Sequence, residues 1–162
     1  MSNFLEKLGS EDWLLADGAT GTNLFDMGLK SGDAPELWNI KYPARISNLY
    51  RGAVDAGSDI FLTNSFGGNA PRLKLHNLGT KAFELSKISA EIARNVADRC
   101  QRSVFVAGSV GPTGEIMEPI GDLSHKIAVE VFLEQAQGLK DGGADVLWLE
   151  TISATEEFVA AA

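Results

Sequence analysis

The chain has 162 residues, 44% of them apolar and 22% charged, a globular mixture that supports one ordinary core and is neither disordered nor fibrous in type. Twenty-two acidic against fourteen basic residues give a net charge of −8, and the scattered basic residues form no footprint for nucleic acid or an anionic membrane, so both are excluded as principal partners. The single cysteine, Cys100, excludes an intrachain disulfide or a cysteine-rich metal cage within these residues.

The N-terminal MSNFLEKLGSEDW has no basic stretch followed by an apolar run, and no segment reaches transmembrane length, which predicts a cytoplasmic address. The first strand-length apolar run, residues 13–16, leads into DGATGT at 17–22. Gly18 and Gly21 there suit a tight turn. The spacing is neither GxGxxG nor a P-loop, and Asp17 reads either as a cap or as a carboxylate at the mouth of a sheet. After Pro43, Ile46, Leu49, Tyr50, Ala53 and Val54 fall at offsets 0, 3, 4, 7 and 8, one apolar helix face. Trp38, in the loop before it, is read as packing or as a pocket wall for a quaternary ammonium group.

The second apolar run, 60–63, is followed by TNSFGG at 63–68, a loop with donors, an aromatic wall and flexible glycine backbone, or simply a glycine turn. Leu85, Ile88, Ile92 and Val96 predict the next helix, which ends near Cys100. That places Cys100 on the N-terminal side of the third run, 104–107, away from any site at the strand ends. GPTG at 111–114 reads as a turn or as an exposed-backbone anion site. Ala128, Val131, Phe132, Ala136 and Leu139 predict a third helix with Ser124 as N-cap. The isolated His76 and His125 have no metal-ligand spacing.

The fourth run, 146–149, ends in Glu150 and Thr151. A carboxylate behind Val-Leu-Trp-Leu needs a partner, either a structural salt bridge or, together with Asp17, a ligand ammonium group. Residues 153–162 begin another helix with Thr155 as its expected cap and Glu156 and Glu157 in its first turn. The chain stops there at Ala-Ala-Ala, which reads as a truncation. Strand alternating with helix predicts parallel strands with right-handed crossovers. An internal echo sharpens this, because DAGSDIFLTN at 55–64 aligns without gaps on DGGADVLWLE at 141–150. Gly57 and Gly143 become equivalent helix-closing residues, Asn64 and Glu150 equivalent strand ends, and Leu62 and Trp148 residues of one face.

DGATGT, PELWNI, AGSDIFLTNSFGG, GSVGPTG and DVLWLET, in that order, together resemble the homocysteine S-methyltransferases, a family that includes betaine-homocysteine methyltransferases and the homocysteine module of cobalamin-dependent methionine synthase. The resemblance implies an α/β fold of the (β/α)8 TIM-barrel type, with about the first four β/α units in residues 1–162 as the N-terminal half of a homocysteine-binding barrel domain. It implies homocysteine and a methyl donor as partners, with homocysteine bound at the C-terminal face and Asp17 and Glu150 holding its amine. Gly18, Thr63 and Asn64 are expected to position the amino-acid end. It also implies a zinc ion that activates the sulfur, held by three cysteines of the second half, so its ligands are expected beyond residue 162. The residues leave open betaine, methylcobalamin or methylfolate, or a sulfonium as donor, and whether the chain forms a homo-oligomer. The rival readings are a non-catalytic barrel fragment or interaction module that needs a partner chain, and a different α/β enzyme binding phosphate at GPTG.

Overall fold

Three of the four apolar runs become strands in the computed structural model, which describes residues 4–162. They are β1 (Ile60–Leu62), β2 (Phe105–Val110) and β3 (Val146–Leu149), and all pair in parallel in the order β1-β2-β3. The run at 13–16 falls short of a strand. It contributes one parallel bridge, Ala16 to Ile60, made by Asp17 N–H to the Ile60 carbonyl (2.9 Å) and Ile60 N–H to the Leu15 carbonyl (3.0 Å). It lies against β1 on one side, and Trp13 is 72% exposed. β2, by contrast, extends past the expected Ala107 through Gly108, Ser109 and Val110, because β3 pairs with it from Ala107 to Val110.

The helices follow the apolar periodicity. α1 (Phe4–Ser10) and α2 (Thr20–Asp26) precede the short α3 (Trp38–Lys41) and α4 (Pro43–Asp55), the latter opened by Pro43 in its first turn. α5 (Ala70–Lys74) and α6 (Ala82–Ala97) connect β1 to β2. α7 (His125–Asp141) connects β2 to β3, and its Ser124 hydroxyl accepts the Ile127 N–H as expected of an N-cap. α8 (Thr155–Ala161) starts one residue differently from expectation: Ala154 is its N-cap residue, no side chain caps it, and Thr155 lies inside its first turn.

Period-2 alternation sends the two sides of the sheet to different cores. Phe61, Val104 and Val106 pack under α4 and α6 with Tyr50, Val54, Ala93 and Val96, while Val110 and Leu149 pack with α7 and α8. Ile60, Leu62, Phe105, Ala107, Val146 and Trp148 form the opposite face, against which Phe4 sets its ring edge-on to Phe105. Leu62 and Trp148 thus share a face.

The internal echo has a structural counterpart. Gly57 and Gly143 both take positive φ, +106° and +95°, and the next amides, Ser58 and Ala144, reach back to the Ala53 and Leu139 carbonyls, which closes α4 and α7 in the same way. Directly before β1 and β3 an aspartate then ties the neighbouring extended segment. Asp59 accepts the Leu15 N–H, and Asp145 accepts the Val106 N–H at 2.8 Å together with Arg94 at 2.9 Å.

Candidate functional site

The C-terminal ends of the strands enclose a cavity of about 250 Å3. Gly18 comes to it from the turn after Asp17, Thr63 and Asn64 from the end of β1, Ser109 from β2 and Glu150 from the end of β3. Glu36 and Phe66 complete the polar and aromatic walls. Because parallel strands all point the same way, residues as far apart in sequence as Gly18 and Glu150 are gathered at one edge; this is where parallel α/β proteins place ligands.

Asp17 stands at this edge but lines the neighbouring groove, about 470 Å3 between α2 and α4, which shares Gly18, Ala19 and Thr20 with the cavity. Its Oδ2 accepts the Leu62 N–H at 3.1 Å, whereas Oδ1 is buried without a partner. Burial pushes the Asp17 carboxyl up to about 6; the Leu62 amide opposes the shift and the charge of Glu150 adds to it. Glu150 itself receives a very short hydrogen bond from the Ser109 hydroxyl. Among the described residues it forms no ion pair. Thr151, directly after it, takes φ +62°, a left-handed conformation that costs a β-branched residue on the order of 1–3 kcal/mol.

The TNSFGG loop is a rigid wall, contrary to the flexible backbone expected of its glycines. The Asn64 N–H donates to the Tyr50 hydroxyl at 2.6 Å, the Ser65 carbonyl accepts Gln135 Nε2 at 2.7 Å, and the Gly67 N–H donates to Glu36 Oε1 at 2.8 Å. The Phe66 carbonyl accepts the Gly111 N–H at 3.0 Å. The polar side chains of the loop are committed as well. Thr63 Oγ1 accepts the Ser109 N–H (3.0 Å), and Asn64 Nδ2 donates to the Pro35 carbonyl (2.8 Å) and Asn39 Oδ1 (2.9 Å). Each backbone group of a loop this buried needs such a partner.

Glu36, Ser109 and Gln135 were not singled out from the sequence. Glu36 is 5% exposed; burial raises its pKa, while the Gly67 amide and the charges of His76 and Arg72 hold it down. Its only sequence signal is a carboxylate inside the apolar stretch PELWNI. The GPTG loop proves to be a turn whose anion comes from within the chain. Glu157 Oε1 accepts both the Thr113 N–H (2.7 Å) and the Thr113 hydroxyl (2.6 Å), and both residues are buried. Trp38 is core, 4% exposed, with Tyr42 edge-on at 4.9 Å and the Arg45 guanidinium 5.1 Å over its ring, so it does not wall the cavity.

Cys100 lies where its position in the sequence put it, after α6 and before β2, at the end of the strands remote from Glu150. Its Sγ reaches the Val96 carbonyl at 3.2 Å. Among the described residues no group of three His, Cys, Asp or Glu side chains is arranged to hold a metal ion, and no helix is long and apolar enough to cross a membrane. Chemically, the cavity offers carboxylate acceptors and an aromatic wall, and none of its lining residues is basic. Such a site favours a cationic group at its entrance.

The sequence profile of the homocysteine S-methyltransferase family matches residues 14–162. Over 147 residues the chain is 33% identical to the methionine synthase of Mycobacterium leprae (strain TN), covering 85% of this chain and 12% of that protein. It is 32% identical over 151 residues to the methionine synthase of Mycobacterium tuberculosis (strain ATCC 25618 / H37Rv), covering 88% and 13%. Among solved structures, the metallated form of the homocysteine methyltransferase MmuM from Escherichia coli superposes with a TM-score of 0.79 at 27% identity, over 96% of this chain and 59% of that one. The oxidized form gives 0.78 at 28% identity, over 94% and 57%. The chain therefore spans about an eighth of the curated relatives and rather more than half of the solved ones.

Proposed function

The chain belongs to the homocysteine S-methyltransferase family, and we propose that residues 1–162 form the N-terminal part of a (β/α)8 barrel that binds homocysteine for methylation to methionine. The strand order supports the barrel: the bridge at Ala16, then β1, β2 and β3, are neighbours strictly in chain order, whereas a doubly wound sheet reverses direction at a switch point. In this reading Glu150 and Asp17 take up the substrate ammonium group. The turn at Gly18 and the tied ends of β1 at Thr63 and Asn64 form the wall against which the amino-acid end lies.

The observation that carries this reading is a pair of carboxyl groups at one sheet edge, with Asp17 Oδ1 buried and unpartnered and no basic side chain lining the cavity that Glu150 enters. An ammonium group supplies the missing charge and the missing donors. In the transfer itself homocysteine, having released its thiol proton, attacks the donor's methyl carbon as the thiolate, the S–CH3 bond forms, and the donor leaves with the electron pair of the broken bond. Betaine, methylcobalamin or methylfolate, and a sulfonium all satisfy that balance. The zinc implied by the family resemblance does not fit the residues present here, since no cluster of ligands forms among the described residues and Cys100 is at the far end of the strands. We assign its ligands to residues outside 1–162 and the protein to the cytoplasm.

The rival phosphate reading of GPTG loses its support because Glu157 already occupies the Thr113 amide. Calorimetric titration of L-homocysteine into the full-length polypeptide containing residues 1–162 tests the proposal. A charge-assisted bond to the amine is worth about 1.5–3 kcal/mol, so Glu150→Gln should bind about 10- to 100-fold more weakly. Wild-type affinity in that variant refutes the substrate-binding role and returns Glu150 to a structural one.

A further inference from the structure

Carboxylates at strand ends swing on flexible stems, and recognition needs them held. Ser109 is the residue whose geometry does this for Glu150. Its backbone is pinned from both directions. Its N–H donates to Thr63 Oγ1 at 3.0 Å, and its carbonyl accepts the Ser65 hydroxyl at 2.8 Å and Gln135 Nε2 at 3.3 Å. Ser109 pairs with Trp148 in the β2–β3 register, so Glu150, directly after β3, continues the face of Trp148. The Ser109 side chain is 2% exposed as a residue and lines the cavity, and its hydroxyl donates to Glu150 Oε1.

We infer that Ser109 is a positioning residue for amino-acid recognition: its fixed hydroxyl occupies one oxygen of Glu150 and thereby aims the other at the cavity. The inference rests on the amine-binding role proposed for Glu150. The hydroxyl gains nothing else in this position, because the strand register and the three backbone bonds are independent of it. A neutral donor on one oxygen also brings no positive charge to compete with a ligand ammonium group, as a lysine or arginine in its place would. The same bonds make Gln135 and Ser65 the brace that keeps the Ser109 backbone from shifting.

The test is a double-substitution cycle on the full-length polypeptide containing residues 1–162, read as the dissociation constant of L-homocysteine by calorimetry. Ser109→Ala should weaken binding about 3- to 10-fold. Ser109→Thr, which keeps the hydroxyl, should restore affinity to within about twofold, a rescue that a packing role would not produce because Thr is the larger residue. In a Glu150→Gln background, Ser109→Ala should add less than about twofold, since the two residues act as one unit. Unchanged affinity in Ser109→Ala, or full additivity with Glu150→Gln, overturns the inference while leaving the amine-binding role of Glu150 standing. Wild-type affinity in Glu150→Gln alone overturns both. Should the alanine variant not fold, Ser109→Cys, of similar shape with a weaker donor, should bind L-homocysteine more weakly than wild type, and wild-type affinity in it overturns the inference.

Discussion

Removing the carboxylate of Glu157 should cost more stability than any substitution in the cavity walls. Glu157 is 5% exposed and Thr113 2%, and one oxygen of Glu157 receives both the amide and the hydroxyl of Thr113 at 2.7 and 2.6 Å. Glu157→Ala leaves two buried donors without an acceptor, each worth about 1–3 kcal/mol. The expected loss is about 3 kcal/mol, a large share of the roughly 5–15 kcal/mol that holds a domain folded. With a urea dependence of about 1–3 kcal/mol per M, the unfolding midpoint followed by circular dichroism should fall by about 1–3 M. Glu157→Gln keeps an acceptor oxygen in place and should lose only about 1 kcal/mol. Inorganic phosphate should not raise the wild-type midpoint, because the anion position at the Thr113 amide is already filled. A Glu157→Ala midpoint indistinguishable from wild type, or marked stabilisation of wild type by phosphate, would show that the loop is not held in this way.

The Asp17 carboxyl, raised from 3.8 to about 6 chiefly by burial, holds its proton more tightly in the folded chain than in the unfolded one. Its contribution to stability is therefore full below about pH 4 and is lost as the pH rises through 6. Thermal midpoints of wild type and Asp17→Asn should converge near pH 4 and separate in favour of the variant toward pH 7; parallel curves would refute the shift. For the same reason, if Asp17 holds the substrate amine as proposed, homocysteine should bind more tightly at pH 7.5 than at pH 5 by calorimetry, and equal affinities would contradict that role. In Gly111→Ala the new Cβ would lie 2.6 Å from Phe66 Cε2 and 2.7 Å from the Phe66 carbonyl oxygen. Because that carbonyl is tied to the Gly111 amide, the clash cannot relax by ring rotation alone. A loss of about 1–3 kcal/mol is expected in urea unfolding, and an unchanged midpoint would mean that the loop yields.

What could be read in the sequence is what depends on local pattern. Strand-length apolar runs at 60–63 and 146–149 become β1 and β3, and the gapless echo between 55–64 and 141–150 anticipates the paired left-handed glycines, because a helix stop, a turn and a strand start are each written in adjacent residues. That is also why Gly18, Thr63, Asn64 and Glu150 could be placed at strand ends, and why all four line the cavity. The run at 13–16 has the same apolar character, yet it forms only a bridge, since pairing is a property of two chains of backbone rather than of one. The bonding of Glu36, Ser109, Gln135 and Glu157 could not be read from the sequence, because the groups they bond lie 31, 41, 70 and 44 residues away. A carboxylate in PELWNI or in the first turn of α8 looks like a solvated charge until the sheet and its helices bring a buried amide within 3 Å of it. Burial pattern is encoded residue by residue, but the pairing of buried polar groups is decided only when strands stack in register and the helices close over them.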